Sequence, residues 1–495
     1  MEKVVKAMSF IVILSVVLFS CGTEQSVTGD AENSAAAAGS QDIRDDAEAP
    51  EAVTHDVPAI DFDGHNFISL VRDGHGIFWR TVDVFAEEET GEPINDAVFR
   101  RNRMLEAKFN IDITEIRRED VASFAQTLIL AGDEAFDVMY PTMHGAGHLI
   151  QRGFLLNLHE MPHLNFDKPW WNRSINDSVT VGGRLFAAAG NITTMTNDAT
   201  WVALFNKDLA EDFGLADHYQ LVEDGKWTLD VLHENARAAT LDLSGDGILT
   251  PADQWGAIGQ HEVSFSLFAA SGQRIVESGA DGLPSLVLNN ERTVSVLTRV
   301  IDFMTDTSAY INADDFHDQF ENVWVSITTN VFNESRALYL ITNIEIVKSL
   351  RGMEANFGIL PLPKIDELQE NYYSTMQYNN ASIMAVPITA SNQERTGAIL
   401  EAWAAKSVET LTRAYYDITL KSQFARDDES EAMLDLIFAT RVVDKGMFFN
   451  WSGIQGFFEG FSRNPQLSFA SQYERLEPRL LIEIERTLEA IEENN

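Results

Sequence analysis

Cysteine is almost absent from this 495-residue chain: Cys21 stands alone, so no intramolecular disulfide can staple the fold and packing, with or without a metal, must hold it. Cationic side chains are scarce as well. Lys plus Arg total 36 against 76 Asp plus Glu, a formal net charge of −40. Such a surface repels phosphate backbones and anionic lipid, which excludes nucleic acid as a natural partner and fits an acidic, well-solvated exterior. Beyond the first twenty residues no apolar run is long enough to cross a bilayer. Hydrolytic and nucleotide signatures are missing too: there is no P-loop, no GxSxG elbow and no Cys-His pair. His159-Glu160-Met161-Pro162-His163 has the spacing of HExxH, but that chemistry needs both histidines on one face of an unbroken helix, which Pro162 opposes.

What is present begins at the N-terminus. Lys3 and Lys6 precede an apolar run from Ala7 to Phe19, too short to span a membrane and typical of an export leader. Leu18-Phe19-Ser20-Cys21 resembles a bacterial lipobox, which makes Cys21 the expected lipidation site and 1–20 a lipoprotein signal peptide. Residues 21–55 are rich in Ala, Ser, Asp and Glu and poor in large apolar side chains. Such a segment cannot offset its ordering entropy and reads as a disordered acidic linker. The expected location is outside the cytoplasm, tethered to the periplasmic or extracellular face of the membrane by lipid alone.

From Ile60 onward, short apolar runs alternate with amphipathic stretches, the pattern of an α/β protein. Phe67 to Val71 reads as a strand, Ile94 to Asn110 as a helix with Arg100, Arg101 and Arg103 turned largely outward, and Ile111 to Ile116 as a second strand. Asp120 to Gly132 reads as a second helix and Phe136 to Tyr140 as a third strand. Two consecutive β-α-β units predict parallel strands, with ligand loops beyond their carboxyl ends at Arg72 to Trp79 and Pro141 to His148.

The order of these pieces resembles the extracellular solute-binding proteins of ABC importers, in particular the maltose-binding-like, carbohydrate-handling group. The residues that carry it are Phe136-Asp137-Val138-Met139, Gly153-Phe154-Leu155-Leu156-Asn157-Leu158, Gly183-Arg184-Leu185-Phe186 and Phe205-Asn206-Lys207-Asp208-Leu209. Trp227-Thr228, Arg336-Ala337-Leu338-Tyr339 and Phe357-Gly358-Ile359-Leu360-Pro361-Leu362-Pro363 continue the series. One departure is Asn333-Glu334-Ser335, where relatives often carry a glycine. The resemblance implies a two-lobed periplasmic-binding-protein-like α/β fold of type II, hinged between lobes. On this sequence it places one lobe at 60–190 plus 382–440 and the other at 191–381 plus 441–495, with the first crossing between Phe186 and Phe205 and the return near Ser382 to Pro387. It also implies a small-molecule ligand, a saccharide, handed unchanged to an ABC permease.

A sugar offers an apolar C–H face and a rim of hydroxyls, so its site calls for flat aromatic platforms with planar polar groups. Among 9 tryptophans, Trp79, Trp201 and Trp451 fall in segments that the resemblance puts around the cleft and are the stacking candidates; core packing accounts for each about as well. Arg72, Asp73, His144, Asp198, Asn343, Glu345 and Tyr378 are the polar candidates. Trp170, Trp171 and Trp403 look structural. Asp242-Leu243-Ser244-Gly245-Asp246-Gly247-Ile248-Leu249-Thr250-Pro251-Ala252-Asp253 follows the twelve-residue calcium loop of EF-hands, with Asp242, Ser244, Asp246, the Ile248 carbonyl, Thr250 and Asp253 at ligand positions. The expectation is a structural Ca2+, with an ordinary acidic turn as the alternative, and no organic cofactor. Two other functions stay open: a surface-anchored carbohydrate hydrolase, which would need a pair of carboxylates facing across the scissile bond, and a lipoprotein adhesin or sensor.

Overall fold

The computed structural model describes residues 55–74, 78–350, 353–416 and 428–493. The leader, Cys21 and the linker up to residue 54 lie outside the described residues, as do residues 75–77 of the loop after the first strand.

The first strand, β1, runs His65–Arg72 and is followed by helix α1 (Pro93–Phe109). Glu92 caps α1 and Pro93 opens it, where its missing N–H costs nothing. Asn110 ends it in the left-handed region at φ 49°. Strand β2 (Ile111–Arg118) then pairs with β1 in parallel. Helix α2 (Val121–Ala131) is bracketed by Asp120 as N-cap and Gly132 at φ 68° as C-cap. β3 is shorter than expected, Val138–Met139, although Asp137 N–H to Ile68 and Tyr140 N–H to Leu70 prolong its bonding to β1. Helix α3 (Met143–Ile150) follows, capped by Thr142.

One expectation fails on α1. Arg101 is completely buried, not outward. Its guanidinium donates to the carbonyls of Asp83, Val84 and Ile192 and to the Ser407 hydroxyl, and lies over the Trp403 ring. Burial pulls its pKa down to about 10, opposed by Asp83.

Strands β4 (Ala187–Ala188), β5 (Trp201–Asn206) and β6 (Trp255–Gly259) follow, then the hairpin β7 (Val276–Ser278) and β8 (Pro284–Leu286). β9 (Tyr310–Asn312), β10 (Ala337–Asn343), β11 (Phe357–Leu360) and β12 (Met384–Ala385) complete the set. Two five-stranded sheets result, in the orders β2-β1-β3-β12-β4 and β11-β5-β10-β6-β9. Read from opposite ends they share one plan. Three parallel strands (β2-β1-β3 or β9-β6-β10) are followed by an antiparallel strand, β12 or β5, and then by a fifth strand antiparallel to that one. In each sheet the antiparallel strand is the one reached from the other sheet. The chain therefore crosses between lobes from β4 to β5 and again from β11 to β12.

Later elements lie on both lobes. Helix Gln393–Ser407 packs on α1, helix Asp428–Ala439 on β11, Lys445–Phe449 on α3, and Ile454–Arg463 on Val263–Ala270. The long helix Phe469–Glu493 returns to α3, where Thr487 accepts from Gln151. Within Asn333-Glu334-Ser335, Ser335 is held in the left-handed region at φ 57°.

Candidate functional site

The carboxyl ends of both sheets meet on the second crossing. Arg72, the last residue of β1, is 6% exposed and donates from Nη1 to Asn380 Oδ1 at 2.8 Å. Asn380 Nδ2 donates to Gln377 Oε1 at 2.9 Å, and the same oxygen accepts from Nδ2 of Asn343, the last residue of β10, at 3.0 Å. The Gln377 amide nitrogen donates onward to Glu262, three residues beyond β6. Asn379 and Gln455 also donate to Glu262, each at 2.9 Å. A continuous run of planar amides thus links the end of β1 in one lobe to the ends of β10 and β6 in the other. Planar donors and acceptors fixed in this way suit a ligand rich in hydroxyls.

Two cavities flank this run. The larger, 440 Å³, opens at the ends of β1 and β2 and the starts of α2 and α3, with Arg72, His144, His148 and Arg152 among its lining. The smaller, 20 Å³, is bounded by Trp201, Glu262, Phe265, Gln377, Tyr378 and Glu459. His144 and Tyr378 stand between them with rings stacked at 6.0 Å and 16°. Burial, with His148 nearby, lowers His144 to about 4, so its imidazole is neutral at pH 7. Burial raises Glu262 to about 7, helped by Glu459 and opposed by the Gln377 and Asn379 amides. The Tyr378 hydroxyl is already occupied, accepting from the Asp444 N–H at 2.9 Å; its ring is what it can offer.

Asp198, Glu345 and Trp79 form a neighbouring group. Lys348 Nζ donates to Asp198 Oδ2 at 2.8 Å and to Glu345 Oε2 at 2.5 Å, and the Tyr415 hydroxyl donates to Asp198 Oδ1 at 2.8 Å. The Trp79 backbone N–H adds a bond to Glu345, from a residue held at φ 59°. Burial alone would lower Lys348, but Asp198 and Glu345 more than offset it and keep the ammonium protonated well above its usual range. Burial and Asp198 push Glu345 up against the pull of Lys348. These four residues tie the loop after β1, the first crossing and the end of β10 together; the carboxylates are committed to the cation and are not free acids.

The remaining candidates separate from the cleft. Asp73 is exposed, 3.6 Å from the Arg80 guanidinium. Trp451 is in the core, 1% exposed, stacked on Phe449 at 4.8 Å, with its indole N–H given to Thr487 at 2.9 Å. Trp170 and Trp171 both donate to Glu401. His159 and His163 share no helix: the 3-10 turn Leu158–Glu160 ends before Met161, and His163 sits at φ 71°.

In the 242–253 loop, Asp242 accepts from the N–H groups of Gly245 and Gly247, both at 2.7 Å. Asp253 accepts from Leu243 at 2.9 Å and from the Thr250 N–H and hydroxyl at 2.8 and 2.9 Å. The side chains of Ser244 and Asp246 are bound within the loop as well. The donor set has the chemistry calcium wants, but among the described residues no three His, Cys, Asp or Glu side chains converge as metal ligands.

Sequence reasoning missed Glu262, Gln377, Asn379, Asn380, Gln455 and Lys348. The amide run Gln377-Tyr378-Asn379-Asn380 was the available signal, since three amides around an aromatic ring in a connection between strands have no packing reason to cluster.

In comparisons with known proteins, no family model and no curated protein matches the sequence. Solved structures do. An ABC substrate-binding protein from Listeria monocytogenes in complex with cycloalternan aligns over 87% of this chain and 99% of its own, at TM-score 0.54 and 14% identity. A cyclo/maltodextrin-binding protein complexed with maltotetraose aligns over 87% of this chain and 97% of its own, at TM-score 0.54 and 13% identity. The fold of this chain is therefore the two-lobed α/β fold of these substrate-binding proteins.

Proposed function

We propose that this protein is the substrate-binding component of an ABC importer, anchored outside the cytoplasm through lipid on Cys21, which takes a saccharide in the interlobe cleft and passes it unchanged to the permease. The observation that carries the reading is the amide run: Arg72, Asn343 and Glu262, at the strand ends of two lobes, all bond to the same crossing segment. A ligand held there touches both lobes and the hinge at once. Contacts made to both lobes favour the closed state, which is the form a permease can distinguish. The structural neighbours, a substrate-binding protein in complex with cycloalternan and a cyclo/maltodextrin-binding protein complexed with maltotetraose, support the same class of ligand. Among the described residues no helix is long and apolar enough to cross a membrane. Calcium on the 242–253 loop belongs to this reading as a brace of the second lobe, supported by its donor set.

The test is a thermal-shift and calorimetric screen of the protein against mono- and oligosaccharides, including maltotetraose, since a ligand of the folded state raises its melting point. A saccharide that binds and is recovered intact supports the receptor. Cleavage of the bound sugar, or no saccharide binding at all, overturns it. Release of Cys21→Ala from the membrane fraction tests the anchor.

A further inference from the structure

Arg72 is a buried cation with no carboxylate in ion-pair contact among the described residues. Among the described residues Asn380 is the only hydrogen-bond partner of its guanidinium, through Nη1, and Nε has no partner at all. Glu119 and Asp120 pull on it from a distance; Asp120 also caps α2, accepting from the Ser123 N–H at 3.0 Å and its hydroxyl at 2.5 Å. Holding a guanidinium out of water with its Nε edge unpaired is costly. That edge, Nε with Nη2, is the fork that donates to both oxygens of a carboxylate. The 440 Å³ cavity that Arg72 lines carries groups of both signs, Glu119 and Asp120 together with further positive features. Arg152 and His148 stand on its wall, and the first turns of α2, eleven residues long, and α3, eight residues long, border it, bringing the positive ends of two helices to the same space. His144 supplies a different group. Its ring bonds the Met447 backbone, which leaves the buried, unpartnered Nε2 as an acceptor for a hydroxyl.

We propose that this cavity takes the carboxylate of an acidic saccharide, with Arg72 as the anchor and His144 accepting an adjacent sugar hydroxyl. The proposal rests on the saccharide-receptor reading and narrows it from sugars in general to uronate-bearing ones. Glu119 and Asp120 on the same wall set a limit of about one anionic group: a polyanion would meet them.

The experiment is calorimetry of the whole protein with oligosaccharides that carry a single galacturonate or glucuronate residue, their methyl esters, and neutral maltotetraose. The esters keep the rings and remove the charge. The expected result is that an acid form binds at least about 100-fold more tightly than its ester, the scale of a desolvated bidentate pair. Arg72→Gln should erase the difference, and Arg72→Lys, which keeps charge without the fork, should retain only part of it. Should Arg72→Gln fail to fold, the Lys variant and the acid-to-ester ratio of the unmodified protein still decide. Acid and ester binding equally, or maltotetraose binding while both uronates fail, overturns the inference and leaves the saccharide receptor standing. Failure of every saccharide overturns both.

Discussion

Replacing Lys348 by Met isolates the energetics of the hinge. The ammonium lies 2.8 Å from Asp198 and 2.5 Å from Glu345, whose side chains are 2% and 7% exposed, so the variant leaves two buried carboxylates facing each other with no cation between them. Breaking a buried pair from one side costs about 3 to 5 kcal/mol. The Lys348 side chain keeps 31% exposure, which admits water to its end and places the expected loss near the lower limit, about 3 kcal/mol. Urea unfolding followed by circular dichroism at pH 7.5 reads it. The pH dependence carries the distinguishing sign. With the cation gone, one carboxyl is pushed up further by burial and by its neighbour. A raised carboxyl destabilises above its folded pKa and ceases to do so once protonated. The loss should therefore shrink as pH falls from 7.5 to 5. Lys348→Arg, which keeps the charge, should lose less than half as much. A loss below about 1 kcal/mol at pH 7.5, or one that does not change with pH, would refute the account.

Three other outcomes follow from particular contacts. Glu262, raised to about 7 by burial, contributes stability fully present below its ordinary range and lost as pH rises through 7; the melting temperature should fall between pH 5 and 8, and Glu262→Gln should flatten that fall. Trp201→Ala should weaken saccharide binding at least tenfold, about 1.4 kcal/mol, with folding kept, whereas Trp451→Ala should destabilise by about 3 to 5 kcal/mol and leave the affinity of the folded fraction unchanged; calorimetry with thermal melts separates the two. Calcium chloride should raise the melting temperature over that in chelator, and Asp242→Ala with Asp246→Ala should abolish the rise; identical melts with and without calcium dispose of the metal.

The fold was legible where local chemistry set it. Pro93, Asn110, Asp120 and Gly132 mark the ends of α1 and α2 because caps and left-handed residues act within a single turn. Arg101 was not legible: in a run of arginines it reads as solvated, and partners distant in sequence, the carbonyls of Asp83, Val84 and Ile192 with the Ser407 hydroxyl, make its burial tolerable. The site divides in the same way. Arg72 and Asn343 close strands, where α/β ligands are expected, and the structure joins them through the second crossing. Glu262 and Gln455 come from a strand end and a distant helix that meet only in three dimensions. Trp451 misleads because an indole signals ligand stacking and core packing with equal force; Phe449 and Thr487 decide for the core.

The global charge and the local cavity pull an anionic ligand in opposite directions, and the conflict is measurable. A formal charge of −40 creates a repulsive field that a uronate must cross before it reaches Arg72, and that field acts over distances on which salt is decisive, since the screening length shortens from about 30 Å at 0.01 M to about 8 Å at 0.15 M. Contacts inside the cavity are formed over a few ångströms and are screened far less. The association rate of an acidic saccharide should therefore rise as salt is raised over this range, opposite to the usual behaviour of electrostatically steered partners, while the rate for its methyl ester stays flat. Stopped-flow tryptophan fluorescence can follow both. An acidic ligand whose association slows with added salt would mean that the field at the cleft mouth is positive, and that Arg72 and Arg152 dominate the approach as well as the bound state.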